Sequence, residues 1–275
     1  MAVPAAPHHL PRPGADAPDV PADVSATEVP RRQVPVTGCF NFRDLGGYRT
    51  AGGHRVRWRR LFRADGLAGL GADGVAGLVR LEVVTVLDLR SPGELHARGR
   101  FPEVAGIRYA HLPFTESLPG ASDAERWSDP GYVGRHYLQL LHDAEPAVVA
   151  ALRLLAEPDA LPAVFHCSVG KDRTGVLAAM VLGLLGVDDA HIVEDYALSR
   201  RPMERFLQAL RAETAPQVTA MVERYTPVIL AAAPESMAAF VAGVRRDFGS
   251  FAGWARHAGV GDVAEALRAR LLQPG

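Results

Sequence analysis

Cysteine is nearly absent: Cys39 and Cys167 are the only two in 275 residues. No disulfide framework holds the chain, and free thiols suit a reducing compartment. Aromatic residues are scarce at 7% while alanine, glycine and arginine abound, a pattern of nucleotide bias more than of function. Neither charge sign dominates. Lys plus Arg is 30 and Asp plus Glu is 31, so the net charge of −1 argues against a dedicated nucleic-acid binder. The longest mostly apolar run, Val176 to Val187, falls short of the ~20 residues a membrane-spanning helix needs and suits a core helix. No basic segment followed by an apolar one opens the chain, so a secretory signal is not expected. The expectation is a cytoplasmic protein without a stable membrane anchor. No His/Asp cluster has metal-ligand spacing, and no metal or organic cofactor is expected.

Residues 1–32 are rich in Pro and Ala and lack a period, which predicts a disordered tail. The remainder, 33–272, is long enough to bury a sizeable core and reads as one domain.

Within it lies the run His166-Cys167-Ser168-Val169-Gly170-Lys171-Asp172-Arg173-Thr174-Gly175. A short apolar run, Pro162 to Phe165, precedes it and a helical pattern follows, so the spacing predicts strand, tight loop and helix N-terminus. Such a loop points backbone N–H groups inward, and the helix dipole adds positive charge; together they suit a phosphate dianion. Gly170 lets the backbone curl, with Ser168, Val169 and Lys171 lining the same loop. Arg173 offers a planar fork that matches two phosphoryl oxygens. The same positive field favours the thiolate of Cys167, the nucleophile for an in-line attack on phosphorus. Thr174 is expected to hydrogen-bond that sulfur, and His166 to orient the loop from behind. The plain alternative is a buried cysteine at a strand end, but Cys-x5-Arg with a loop glycine and a following Thr-Gly disfavours it.

This run resembles the cysteine-dependent protein tyrosine phosphatases, and its Gly-Lys-Asp-Arg-Thr-Gly ending resembles their bacterial atypical branch. Asn41-Phe42-Arg43-Asp44-Leu45-Gly46-Gly47, then Leu61-Phe62-Arg63-Ala64-Asp65, is similar to the front end of that branch, and Asp88-Leu89-Arg90-Ser91 with Glu94 to its second block. The resemblance thus spans most of the chain after the tail. It implies an α/β fold with hydrolysis of phosphotyrosine, and often of phosphoserine, phosphothreonine or phosphoinositides.

The remaining pattern fits such a fold: strands alternating with helices build a central, mostly parallel sheet of four to five strands. Alternation around Val56 and Trp58 predicts a small N-terminal hairpin. Strands are expected at 61–65, 83–90, 107–113 and 161–165. Val83 to Arg90 is nearly all apolar until Asp88 and Arg90 at its carboxyl end, where open α/β sheets place ligands. Asp88 and Arg90 read equally well as pocket lining and as a bracing ion pair, with Glu94 another partner for Arg90. Arg63, in a basic stretch from Arg49 otherwise read as solvated, is the best placed to point into the pocket. Phe114 to Pro130 reads as a long loop. Helices are expected at 73–81, 132–141, 147–155 and 176–187. The C-terminal third is all helix: 188–200, 203–211, 217–225, 234–247, 251–258 and 262–272. In lid-bearing family members helices in the 202–231 region cover the pocket. Core packing is the usual meaning of a Met and Leu stripe such as Met203, Phe206, Leu207, Leu210, Met221 and Val222.

An acid is still needed for the leaving oxygen. Trp127-Ser128-Asp129-Pro130 has the letters of the family's Trp-Pro-Asp loop in the wrong order, leaving Asp123 and Asp129 as weak candidates. Asp172 is the preferred donor, Asp88 the next. Lys171 would add positive charge at the mouth and favour multiply phosphorylated substrates. Two other readings are weighed: a non-catalytic phosphate-binding module, which would lack the nucleophile, arginine or loop glycine, and a sulfur-transfer enzyme, which Arg173 and Thr174 disfavour.

Overall fold

The computed structural model describes residues 32–115, 126, 129–213 and 232–275. The first half runs β1 (Arg43–Asp44), β2 (His54–Val56), β3 (Leu61–Ala64), α1 (Ala72–Arg80), β4 (Thr85–Asp88), α2 (Pro92–Arg98) and β5 (Arg108–His111). Then come α3 (Pro130–Asp143), α4 (Glu145–Ala156), β6 (Ala163–His166) and α5 (Asp172–Leu185). The chain continues through α6 (Asp189–Ala197), α7 (Arg200–Glu213), α8 (Pro234–Phe248), α9 (Phe251–His257), α10 (Gly261–Leu271) and β7 (Leu272–Pro274).

Five strands form the main sheet in the order β1-β3-β6-β4-β5, parallel except for β1. Its centre is buried on both faces, and side chains divide by the two-residue period of a strand. Phe62, Val86 and Val164 enter one core with Val36, Phe42, Leu78 and Phe101. Their neighbours Leu61, Leu87 and Phe165 enter the other, which helices α3 to α6 and α8 to α10 fill with Val148, Leu177, Met180, Phe240, Trp254 and Leu267 among others. Each such fully buried side chain contributes about 1.5–3 kcal/mol.

The predicted elements that fall on described residues are present within the usual play at their ends. The strand expected over 83–90 is a ladder only from Thr85 to Asp88: the Val83 N–H donates to the Leu78 carbonyl at the end of α1, and the Arg90 N–H to Asp88 Oδ1. Helix α3 starts at Pro130, two residues before the expected start. Asp129 caps it, its carboxylate accepting from Gly131 N–H at 2.9 Å. The expected hairpin is reduced to a single bridge, Arg49 to Arg55, around a Thr50–His54 turn. The main partner of β2 is instead the chain's last strand, β7, with Val56 opposite Leu272. Sequence separation hid that pairing.

Arg32 is anchored at the start of the described chain: its guanidinium lies 3.7 Å from the Tyr48 ring centroid and donates to the Gly46 carbonyl at 2.6 Å. The rest of the predicted tail, the helix expected over 217–225, and most of the 114–130 loop lie outside the described residues. Of the 202–231 region, α7 buries Met203, Phe206 and Leu207. Phe206 meets Phe40 edge-on at 5.6 Å, so this part of the stripe packs on the N-terminal segment. Met221 and Val222 lie outside the described residues.

Candidate active site

Strand β6 ends at His166, between Ala64 of β3 and Asp88 of β4. The next five residues, 167–171, form the loop that feeds α5. Four consecutive carbonyls of this loop are tied to the scaffold. The Cys167 carbonyl lies 3.1 Å from His166 Nδ1, and that of Ser168 accepts from Gly66 N–H at 3.1 Å. Asn41 Nδ2 donates to the carbonyls of Val169 (3.1 Å) and Gly170 (3.2 Å), and Arg63 Nη2 donates to Gly170 as well (2.8 Å). A trans peptide points its N–H opposite to its C=O. Carbonyls held outward therefore turn the N–H groups of Ser168, Val169, Gly170 and Lys171 to the loop's inner side. Gly170 has φ +68°, and a Cβ there would stand 2.5 Å from the Ala64 carbonyl oxygen, so only glycine fits.

Cys167 is fully buried at the foot of this loop. Arg173, in the first turn of α5, is held by Glu94, the carboxylate whose place in the sequence suggests Arg90 as its partner. Arg173 Nη1 and Nη2 donate to Glu94 Oε2 (2.5 Å) and Oε1 (2.9 Å). Ser168 Oγ donates to the same Glu94 Oε1 at 2.5 Å. Burial opposes ionisation of Glu94, but the Arg173 bonds and charge outweigh it and hold the carboxyl down at about 2. Burial likewise opposes the charge on Arg173; Glu94 and the charge of Cys167 more than offset that and keep it a cation.

Behind the loop stands a second carboxylate, Asp195 of α6, buried to 1% exposure. It accepts from Arg63 Nη1 (2.5 Å), Arg43 Nε (3.2 Å) and the Tyr48 hydroxyl (3.2 Å). Burial pushes its pKa up, but the two arginines prevail and bring it to about 2. Arg63 is thus under the loop, bracing it through the Gly170 carbonyl and Asp195, instead of pointing into the pocket as expected. Desolvation and the neighbouring Arg43 bring it down to about 10.

Asp88 and Arg90 form a closed pair. Arg90 Nε and Nη2 donate to the Asp88 carboxylate at 2.9 and 2.5 Å, Tyr109 adds its hydroxyl at 2.9 Å, and Arg90 Nη2 also reaches the Gly99 carbonyl. Asp88 is fully buried; against burial, Arg90 and His166 hold it at about 2. A carboxylate so occupied is a brace, and the structure removes it as a proton donor. His166 is buried too, with Nε2 3.6 Å from Asp88. Burial, helped by Arg90 and Arg173, lowers it to about 4, so the imidazole is neutral at neutral pH.

Asp172 differs from all of these. It is the first residue of α5, its side chain is 27% exposed, and Tyr137 donates a hydrogen bond to its Oδ1. Lys171 is buried, with Nζ 3.5 Å from the same oxygen, and does not stand at the mouth. Arg98, in the last turn of α2, is half-buried; burial lowers its pKa, Glu94 opposes that, and Arg90 and Arg173 add to it. The Thr174 hydroxyl is buried and makes no hydrogen bond, so the expected bond to the Cys167 sulfur is not formed. Asp129 caps α3, and Asp123 lies outside the described residues.

Sequence reasoning missed the roles of Glu94, Asp195, Asn41 and Tyr137. Glu94 reads in the sequence as a partner for Arg90; in the structure it also closes a capping box with Ser91. Asp195 carried a usable signal: a carboxylate beside Tyr196 on the buried face of α6 with Ile192. Among the described residues no group of three or more His, Cys, Asp or Glu could hold a metal ion, and no helix is long and apolar enough to cross a membrane.

The profile of the tyrosine phosphatase family matches residues 34–273. Triple specificity protein phosphatase PtpB of Mycobacterium tuberculosis is 31% identical over 269 residues, 83% of this chain and 94% of its own. The putative tyrosine-protein phosphatase H16_A0669 of Cupriavidus necator is 32% identical over 206 residues, 70% of this chain and 72% of its own. Among solved structures, TpbA of P. aeruginosa aligns with 64% of this chain and 97% of its own at 20% identity and a TM-score of 0.29, too loose a likeness to speak to substrate. On the matched length and the identity to PtpB, the chain belongs to the tyrosine phosphatase family and is an enzyme.

Proposed function

We propose that the protein hydrolyses phosphomonoesters through a cysteinyl-phosphate, chiefly phosphotyrosine in proteins, with phosphoserine, phosphothreonine and phosphoinositides as further substrates. The observation that carries this reading is the set of four tethered carbonyls, which turns four N–H groups to the inner side of the loop that runs from Cys167 to Arg173, a cradle suited to one phosphoryl group. In the first step the Cys167 Sγ lone pair forms the S–P bond and the P–O bond breaks toward the leaving oxygen. Asp172 gives its proton to that oxygen and becomes a carboxylate. In the second step Asp172 takes a proton from water, the water oxygen bonds to phosphorus, and the S–P electrons return to Cys167. Arg173 and the loop N–H groups hold the equatorial oxygens throughout. Arg98, close enough to Glu94 and Arg173 to feel their charge, would serve substrates with a second anionic group, the part expected of Lys171. Two free cysteines suit work in a bacterial cytoplasm.

Phosphate release from an aryl phosphate tests the mechanism: Cys167→Ser should abolish it while leaving the fold intact. Unchanged turnover in that variant would overturn the covalent route. A kinetic panel of phosphotyrosine peptide, phosphoserine peptide and phosphoinositide decides the substrate order.

A further inference from the structure

Two tyrosines the mechanism does not use meet behind Asp172. Tyr137 of α3 donates to Asp172 Oδ1, and its hydroxyl lies 2.7 Å from that of Tyr196 in α6. The rings pack edge to face, 5.9 Å apart at 72°. Both side chains are buried, at 0% and 1% exposure. The approach of α3 is set by Gly134, one turn before Tyr137: a Cβ there would stand 2.4 Å from Ala239 Cβ in α8.

The hydrogens fix the direction of this chain. A phenol has one proton, and Tyr137 gives it to Asp172; the bond between the tyrosines must then be donated by Tyr196. Burial and the charge of Asp172 push both phenols up, so they stay protonated donors through the working range. With Oδ1 occupied, the proton that Asp172 moves resides on Oδ2. We propose that Tyr137, with Tyr196 behind it, is a positioning pair that fixes the rotamer of Asp172 so that Oδ2 faces the leaving oxygen. The donated bond also stabilises the carboxylate that remains once the proton has gone. This rests on the reading of Asp172 as general acid.

The test compares kcat/KM for an alkyl phosphate and for 4-nitrophenyl phosphate, whose leaving group needs little protonation. Tyr137→Phe should lower the alkyl value roughly ten- to a hundredfold, the worth of one hydrogen bond to a charged group. The 4-nitrophenyl value should change less than about twofold, and inhibition by inorganic phosphate should stay as in the wild type. In an Asp172→Asn background Tyr137→Phe should add nothing. Equal losses on both substrates, or an additive effect in that background, would overturn the positioning role. If Asp172→Asn alone leaves the leaving-group dependence untouched, the acid assignment fails instead, a separately readable result. Should Tyr137→Phe not fold, Tyr196→Phe carries the comparison: a smaller loss confined to the alkyl substrate supports the pair, and an equal loss on both sinks it.

Discussion

The catalytic loop is gripped from two sides, and the grips differ in kind. On the α2 side, Glu94 holds side chains: the guanidinium of Arg173 and the hydroxyl of Ser168. On the α6 side, Asp195 holds arginines, and Arg63 with Asn41 holds the backbone itself. In the proposed mechanism one grip aims the group that touches substrate, and the other shapes the surface on which substrate rests. Damage on the two sides should therefore be told apart by stability and by rate.

The largest effect is expected behind the loop. Asp195→Ala leaves Arg43 and Arg63 buried without their carboxylate, and thermal or denaturant unfolding should show a loss of about 3–5 kcal/mol. Next comes the strand end between the grips. The unfolded chain takes up a proton on histidine near about 6.5, native His166 only at about 4. At His166 the unfolded state binds more protons between those values. The share of stability due to this histidine is therefore full above about 6.5 and falls as pH drops toward 4, by up to about 3 kcal/mol, while Asp65, raised by burial to about 6, acts in the opposite sense. His166→Gln should flatten that slope in pH-dependent unfolding, whereas the depressed carboxylates Glu94, Asp88 and Asp195 act only below about 4. On the front side, Glu94→Gln should lower kcat/KM about ten- to a hundredfold through loss of aim in Arg173, read with an aryl phosphate. The smallest is Asn41→Ala, which should cost about 1 kcal/mol and raise KM more than it lowers kcat. If Glu94→Gln proved the greater loss of stability and Asp195→Ala the greater loss of rate in the folded fraction, the division of labour would be wrong.

The parts of the site legible in the sequence are those that are local. Cys167, Gly170 and Arg173 fall within one short loop and the turn after it, so spacing alone carries their chemistry. Arg63 and Asp195 are 132 residues apart, and Arg173 and Glu94 are 79 apart. No periodicity within a helix or strand encodes such pairings. Arg63 stands next to the end of a strand, which by itself suggests a side chain facing substrate; the distant Asp195 holds it inward instead. Fold class is legible for the opposite reason: alternation and apolar runs repeat along the chain, and each strand declares its two buried faces by itself.

Strand β6 lies in the middle of the five-stranded sheet, with a ladder on either side. Its amides should be among the slowest in the molecule to exchange with deuterium, since they open only when the whole sheet does. The stem of the catalytic loop is then protected against local fraying, and deuterium uptake at Val164 and Phe165 would report global unfolding.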